Sequence, residues 1–97
     1  MAVIRLIHVK VEPSQSVEAE RLWKQDCAPL MIRQSGCRSE RLLKCLDEPG
    51  EYISYSEWDS QDAIDRYRAS EDHKKIQAHA RAIQGAKASV KRYETVG

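Results

Sequence analysis

The stretch "EYISYSEWDSQDAIDRYRASEDH", Glu51 to His73, changes its hydrophobic period part-way along. In its first half Tyr52, Ser54, Ser56 and Trp58 share one face and Ile53, Tyr55 and Glu57 the other, which is the alternation of a β-strand. Beyond Trp58 the apolar residues Ala63, Ile64 and Tyr67 recur at helical spacing, and Asp59 or Ser60 stands where an N-cap belongs. Ser70, followed by Glu71 and Asp72, marks a second helix start, because a hydroxyl and early acids suit unpaired N–H groups and the helix dipole. A strand therefore runs into helix through a tryptophan. Its ring either closes the core or forms one wall of a pocket.

Working back towards the N-terminus, "DEPGE" at Asp47–Glu51 supplies a tight turn. It joins the strand over Tyr52–Trp58 to a weaker one over Cys37–Leu46, as an antiparallel hairpin. A first strand is expected from Val3 to Val11, with Val3, Ile7, Val9 and Val11 on one face and Ile4 and Leu6 on the other, a pattern that calls for cover on both sides. Between these strands Ala19, Leu22, Trp23, Cys27, Leu30 and Met31 form a helical stripe. Ser16 is its expected cap, Pro29 should kink or end it near Ala28, and Gly36 stops it. After Ser70 the stripe continues through Ile76, Ala80 and Ile83 to a break near Gly85, and a last strand is expected over Ser89–Val96.

The order strand, helix, strand, strand, helix, strand predicts an α+β, ferredoxin-like βαββαβ antiparallel sheet with helices on one face, formed by a single domain over residues 1–97. One helical layer leaves the opposite sheet face, with Ile53 and Tyr55, for a partner subunit to cover.

Composition narrows the function. The chain has 97 residues, 41% hydrophobic and 32% charged, and its 16 Lys plus Arg against 15 Asp plus Glu leave a formal charge of +1. That balance offers no broad field for a polyanion, so no nucleic acid partner is expected. No apolar run approaches the ~20 residues of a membrane span, so no membrane partner is expected either. Cys27, Cys37 and Cys45 are odd in number and lack a CxxC spacing, which points to free thiols in a cytoplasmic protein and to no zinc site. His73 and His79, six residues apart, flank the helical stripe instead of stacking on one face, so they form no metal pair. Either can act as a base near neutral pH. His8 lies on the face of Ile4 and Leu6 and belongs with the subunit interface.

The run from "YSEW" through "DSQDAIDRY" to "SEDH" resembles the antibiotic biosynthesis monooxygenase superfamily. The resemblance extends over the whole chain in length and element order. It implies a homodimer closed sheet to sheet as a dimeric α/β barrel. In the superfamily's polyketide oxygenases a strand Trp matches Trp58, while the Asn position falls on Ser54 and the helical Tyr position on Ile64. In its haem-degrading members the three site positions fall on Ile7, on Tyr67 and near Ile76, and none of those residue types is kept. The resemblance implies a cofactor-independent monooxygenase acting on a small aromatic, quinol-type molecule. Trp58 would be the wall, Ser54 and Tyr67 the polar contacts, His73 or His79 the base, and no metal or flavin would be bound. A non-catalytic ligand-binding or stress-response barrel is the alternative, and haem binding or degradation a minor one.

Overall fold

The computed structural model describes residues 2–81 and 86–96. Its strands β1 (Val3–Lys10), β2 (Cys37–Lys44), β3 (Glu51–Trp58) and β4 (Lys87–Tyr93) form one antiparallel sheet in the order β2-β3-β1-β4. The register sets Ile7 opposite both Ser54 of β3 and Val90 of β4. The helices α1 (Ser16–Leu22), α2 (Ala28–Ile32), α3 (Gln61–Arg68) and α4 (Glu71–Arg81) complete the ferredoxin-like α+β fold.

The alternation read from β3 sets the layers. Tyr52, Ser54, Ser56 and Trp58 are buried beneath the helices, whereas Ile53, Tyr55 and Glu57 are half-buried on the far face. Beneath α3, Trp58 packs with Met31, Ala63, Ile64 and Tyr67, and a smaller cluster joins Val11 and Tyr52 to Ala19, Leu22 and Leu42. On the far face stand Ile4, Leu6, Ile53 and Tyr55, with Leu43 and Tyr93 exposed.

Polar clamps tie the helices down. The Tyr52 hydroxyl donates to Glu20 Oε2 at 2.7 Å, and Lys44 Nζ reaches the same oxygen at 3.3 Å, joining α1 to β3 and β2. Arg33 donates to both carboxylate oxygens of Asp72 at 2.9 and 2.6 Å, and Gln34 adds a third bond of 2.6 Å. That two-point grip fixes the end of α2 against α4.

Several sequence expectations shift. Ser16 does not cap α1: a 3-10 turn over Pro13–Gln15 feeds straight into the helix, and no side chain bonds the terminal N–H groups. Pro29 does not end the helix. A π-helical turn, Trp23–Cys27, precedes α2 and places Pro29 at its start, where the missing N–H costs least. Ser60 caps α3, accepting from Ala63 N at 3.2 Å, and Ser70 Oγ accepts from His73 N at 3.2 Å as α4 begins. β4 starts at Lys87 and stops at Tyr93, where its ladder with β1 ends at the Ile4–Tyr93 pair, so Val96 lies beyond the strand. Ala80 is exposed and does not extend the buried stripe, while Ile83 and Gly85 lie outside the described residues.

Gly36 joins α2 to β2 at φ +88°, and its carbonyl accepts from Asp59 N at 2.8 Å. A Cβ there would meet Ala63 Cβ at 2.5 Å. Left-handed strain and the clash should together make Gly36→Ala cost about 1–3 kcal/mol. Urea unfolding should show this as a lower midpoint with an unchanged slope.

Candidate functional site

One row of residues crosses the helix-facing side of the sheet from β2 to β4: Glu40, Ser56, Arg5 and Arg92. Above it sits Trp58. Trp58 is 0% exposed, and its Nε1 donates to Ser56 Oγ at 2.9 Å, so the buried indole N–H is satisfied within its own strand. The Trp58 ring stacks on Tyr67 of α3, with centroids 5.0 Å apart and 28° between the planes. Tyr67 in turn makes a T-shaped contact with His73 of α4, with centroids 5.0 Å apart and 78° between the planes.

Arg5 lies beneath this chain of rings. It is only 5% exposed, and its guanidinium carbon is 5.8 Å from the Tyr67 ring centroid. Among the described residues no ion pair involves Arg5. A cation–π contact contributes about 0.5–2 kcal/mol, whereas burying an unpaired cation costs several kcal/mol. The ring alone does not offset the burial.

Charges at the site fall into a definite pattern. Burial depresses the Arg5 pKa from its ordinary value, partly opposed by its interaction with Tyr67. Burial also pushes the Tyr67 phenol up to about 12 despite the pull of Arg5, so near neutral pH the hydroxyl keeps its proton and remains a donor. The His73 pKa is lowered, first by burial and then by the positive charges of Arg5 and Arg68, with a backbone hydrogen bond to Arg68 acting weakly the other way. A neutral imidazole, a phenol donor and a fixed cation thus stand side by side, which is the polarity required to take a proton and hold the resulting anion.

Of the residues singled out in the sequence, the structure brings Trp58, Tyr67 and His73 into one contact chain, with Ser54 buried on the same sheet face. His79 is half-buried further along α4. His8 is exposed on the far face, opposite Ile53. All three cysteines are unbridged, and burial pushes the Cys27 and Cys37 thiols up to about 11, which leaves them weak nucleophiles. The residue missed was Arg5. Its parity with Val3, Ile7 and Val9 was the available signal, since a charge on an otherwise apolar inner face is out of place. Glu40 was missed for the same reason; burial raises its pKa, and its Oε2, like Trp23 Nε1, finds no partner among the described residues.

The family model for antibiotic biosynthesis monooxygenases matches residues 2–79. The chain belongs to that family. Solved structures with the same fold include a protein of Caulobacter crescentus grouped with these monooxygenases, 19% identical, with a TM-score of 0.85 over 99% of this chain and 91% of that one. A Bordetella bronchiseptica protein grouped likewise is 20% identical, with a TM-score of 0.87 over 98% and 97%. SnoaB of Streptomyces nogalater, a cofactor-independent oxygenase, is 20% identical, with a TM-score of 0.77 over 99% and 94%. Comparison with curated proteins gave no match. Among the described residues no helix is long and apolar enough to cross a membrane, and no cluster of three or more His, Cys, Asp or Glu side chains could hold a metal ion.

The His73 environment carries a prediction. His73 should titrate below 6.5 by NMR, and removing the charge of Arg5 in Arg5→Gln should move its midpoint upward. The unfolded chain binds the proton more readily, so the stability associated with neutral His73 is full above about pH 6.5 and declines as pH falls towards the folded value.

Proposed function

We propose that the chain, as one domain over residues 1–97, is a cofactor-independent monooxygenase of small aromatic quinols. The observation that carries the reading is the contact chain of Trp58, Tyr67 and His73 over the buried Arg5. His73 takes a phenolic proton from the quinol, and Arg5 with the Tyr67 hydroxyl stabilises the oxyanion. The electron-rich anion gives an electron to dioxygen, and the pair recombines at a ring carbon as a peroxide. Loss of water, with the proton returned by His73, leaves a hydroxyquinone. A quinol and dioxygen thus yield a hydroxyquinone and water, and all four electrons come from the substrate. Ser54 borders the ring, the buried indole of Trp58 backs the site through its stack on Tyr67, and His79 is the less suitable base because it stands away from the Tyr67 contact.

A second reading, a ligand-binding barrel without catalysis, is favoured by the complete burial of Trp58, which makes its ring part of the core. Dioxygen uptake separates the two. With a panel of mono- and bicyclic quinols, the oxygenase reading requires uptake above the uncatalysed rate and a loss of about 10²–10⁴-fold in His73→Gln. Uptake no faster than the uncatalysed rate across the panel would leave the binding reading, and a Soret shift on adding haemin would favour haem chemistry instead.

The far sheet face supports a homodimer. Ile4, Leu6, Ile53 and Tyr55 form an apolar surface that the protein's own helices do not reach. Tyr55→Asp would bury a charge in that interface at a cost of several kcal/mol by order of magnitude. Sedimentation equilibrium should show the parent chain as a dimer at micromolar concentration and the variant largely as monomer.

A further inference from the structure

Positive charge gathers around Arg5, and among the described residues no acid pairs with it. Arg68, one residue beyond Tyr67, adds a charge of the same sign that acts on both Arg5 and His73. Arg92, the β4 neighbour of Arg5 in the same row, turns its Nη1 to Gln61 Oε1 at 2.7 Å. The acid in the row, Glu40, lies two strands away beyond Ser56, and no ion pair joins it to Arg5 among the described residues. The Tyr67 ring attracts the guanidinium and the phenol oxygen engages it as well, but a protonated phenol carries no charge to balance the cation and can meet only part of its five N–H donors.

We propose that Arg5 anchors a site for an aromatic anion, a ring carrying a carboxylate or an ionised phenol, seated on the helix-facing side of β1 beside Tyr67 and His73. A planar guanidinium matches the two oxygens of a carboxylate, or a phenolate with its neighbouring hydroxyl, in a paired geometry that an ammonium cannot reproduce. The Tyr67 hydroxyl supplies a further donor. Neutral His73 adds no positive charge and remains able to accept a proton from a ring hydroxyl. Access lies on the β4 side, where Val90 shares the inner face and is 50% exposed, and β4 is open to solvent along its length. The proposal rests on the reading of this region as an aromatic site, and it selects the ionised forms among the possible ligands.

The test is binding without dioxygen, by titration calorimetry on the purified chain. Salicylate should bind at least about tenfold tighter than the neutral salicylamide, which corresponds to about 1.4 kcal/mol. In Arg5→Met the two should bind alike, and Arg5→Lys should keep part of the preference. At pH 8, 4-nitrophenolate against 4-nitroanisole tells whether an ionised phenol serves as well as a carboxylate. Thermal unfolding of the parent chain gives a second readout, independent of whether Arg5→Met folds: salicylate should raise Tm and salicylamide should not. Equal affinities in the parent chain, no binding of either anion, or a preference that survives in Arg5→Met would overturn the proposal. Because dioxygen is absent, an anion preference stands even where no quinol is oxygenated. Turnover of neutral quinols without that preference refutes the anion site and leaves the oxygenase reading intact.

Discussion

The stack of Trp58 on Tyr67 is the contact around which the helical layer is arranged. One ring comes from the end of β3 and the other from the last turn of α3, so a single interface fixes the angle at which the chain leaves the sheet. Offset stacking of this kind adds about 0.5–1.5 kcal/mol to the area buried. Its geometric effect is larger. With α3 set by the stack, the Ser70 cap starts α4 at once, which brings His73 into its T-shaped contact with Tyr67, and the clamp on Asp72 then ties the same turn to α2. Tyr67, held in place by the stack, lies over Arg5.

Much of this was legible from residue types and spacing. The parity of Tyr52, Ser54, Ser56 and Trp58 assigned the inner face of β3 correctly, and the Ser60 and Ser70 caps located both C-terminal helices, since each signal is local and has one physical cause. The Pro29 region was harder. A helix can widen by one residue ahead of a proline instead of ending, and nothing in the spacing of Trp23 and Cys27 distinguishes the two outcomes.

The candidate site was legible only in part. Trp58, Tyr67 and His73 could be named because aromatic and imidazole side chains attract notice beside a strand end. Their joining into one chain of contacts depends on α3 and α4 meeting at a particular angle, which is a tertiary property. Arg5 was hidden by the habit of assigning charged strand residues to solvent. Its burial reflects the aromatic roof overhead, contributed by residues more than fifty positions along the chain.

The two sheet margins have a bearing on how copies of this chain can meet. β2 shifts register against β3 between Cys37 and Ser39, and it also carries Arg38, Arg41 and Lys44; β4 carries Lys87, Lys91 and Arg92. Irregular register and cations on margin strands discourage a second sheet from extending the first by backbone pairing. Runaway fibre growth along the hydrogen-bonding direction is thereby opposed at both ends, and the apolar face of the sheet is left as the direction open to self-recognition. Contact through that face is mutual, so any association of two copies there closes at a pair instead of growing into a polymer.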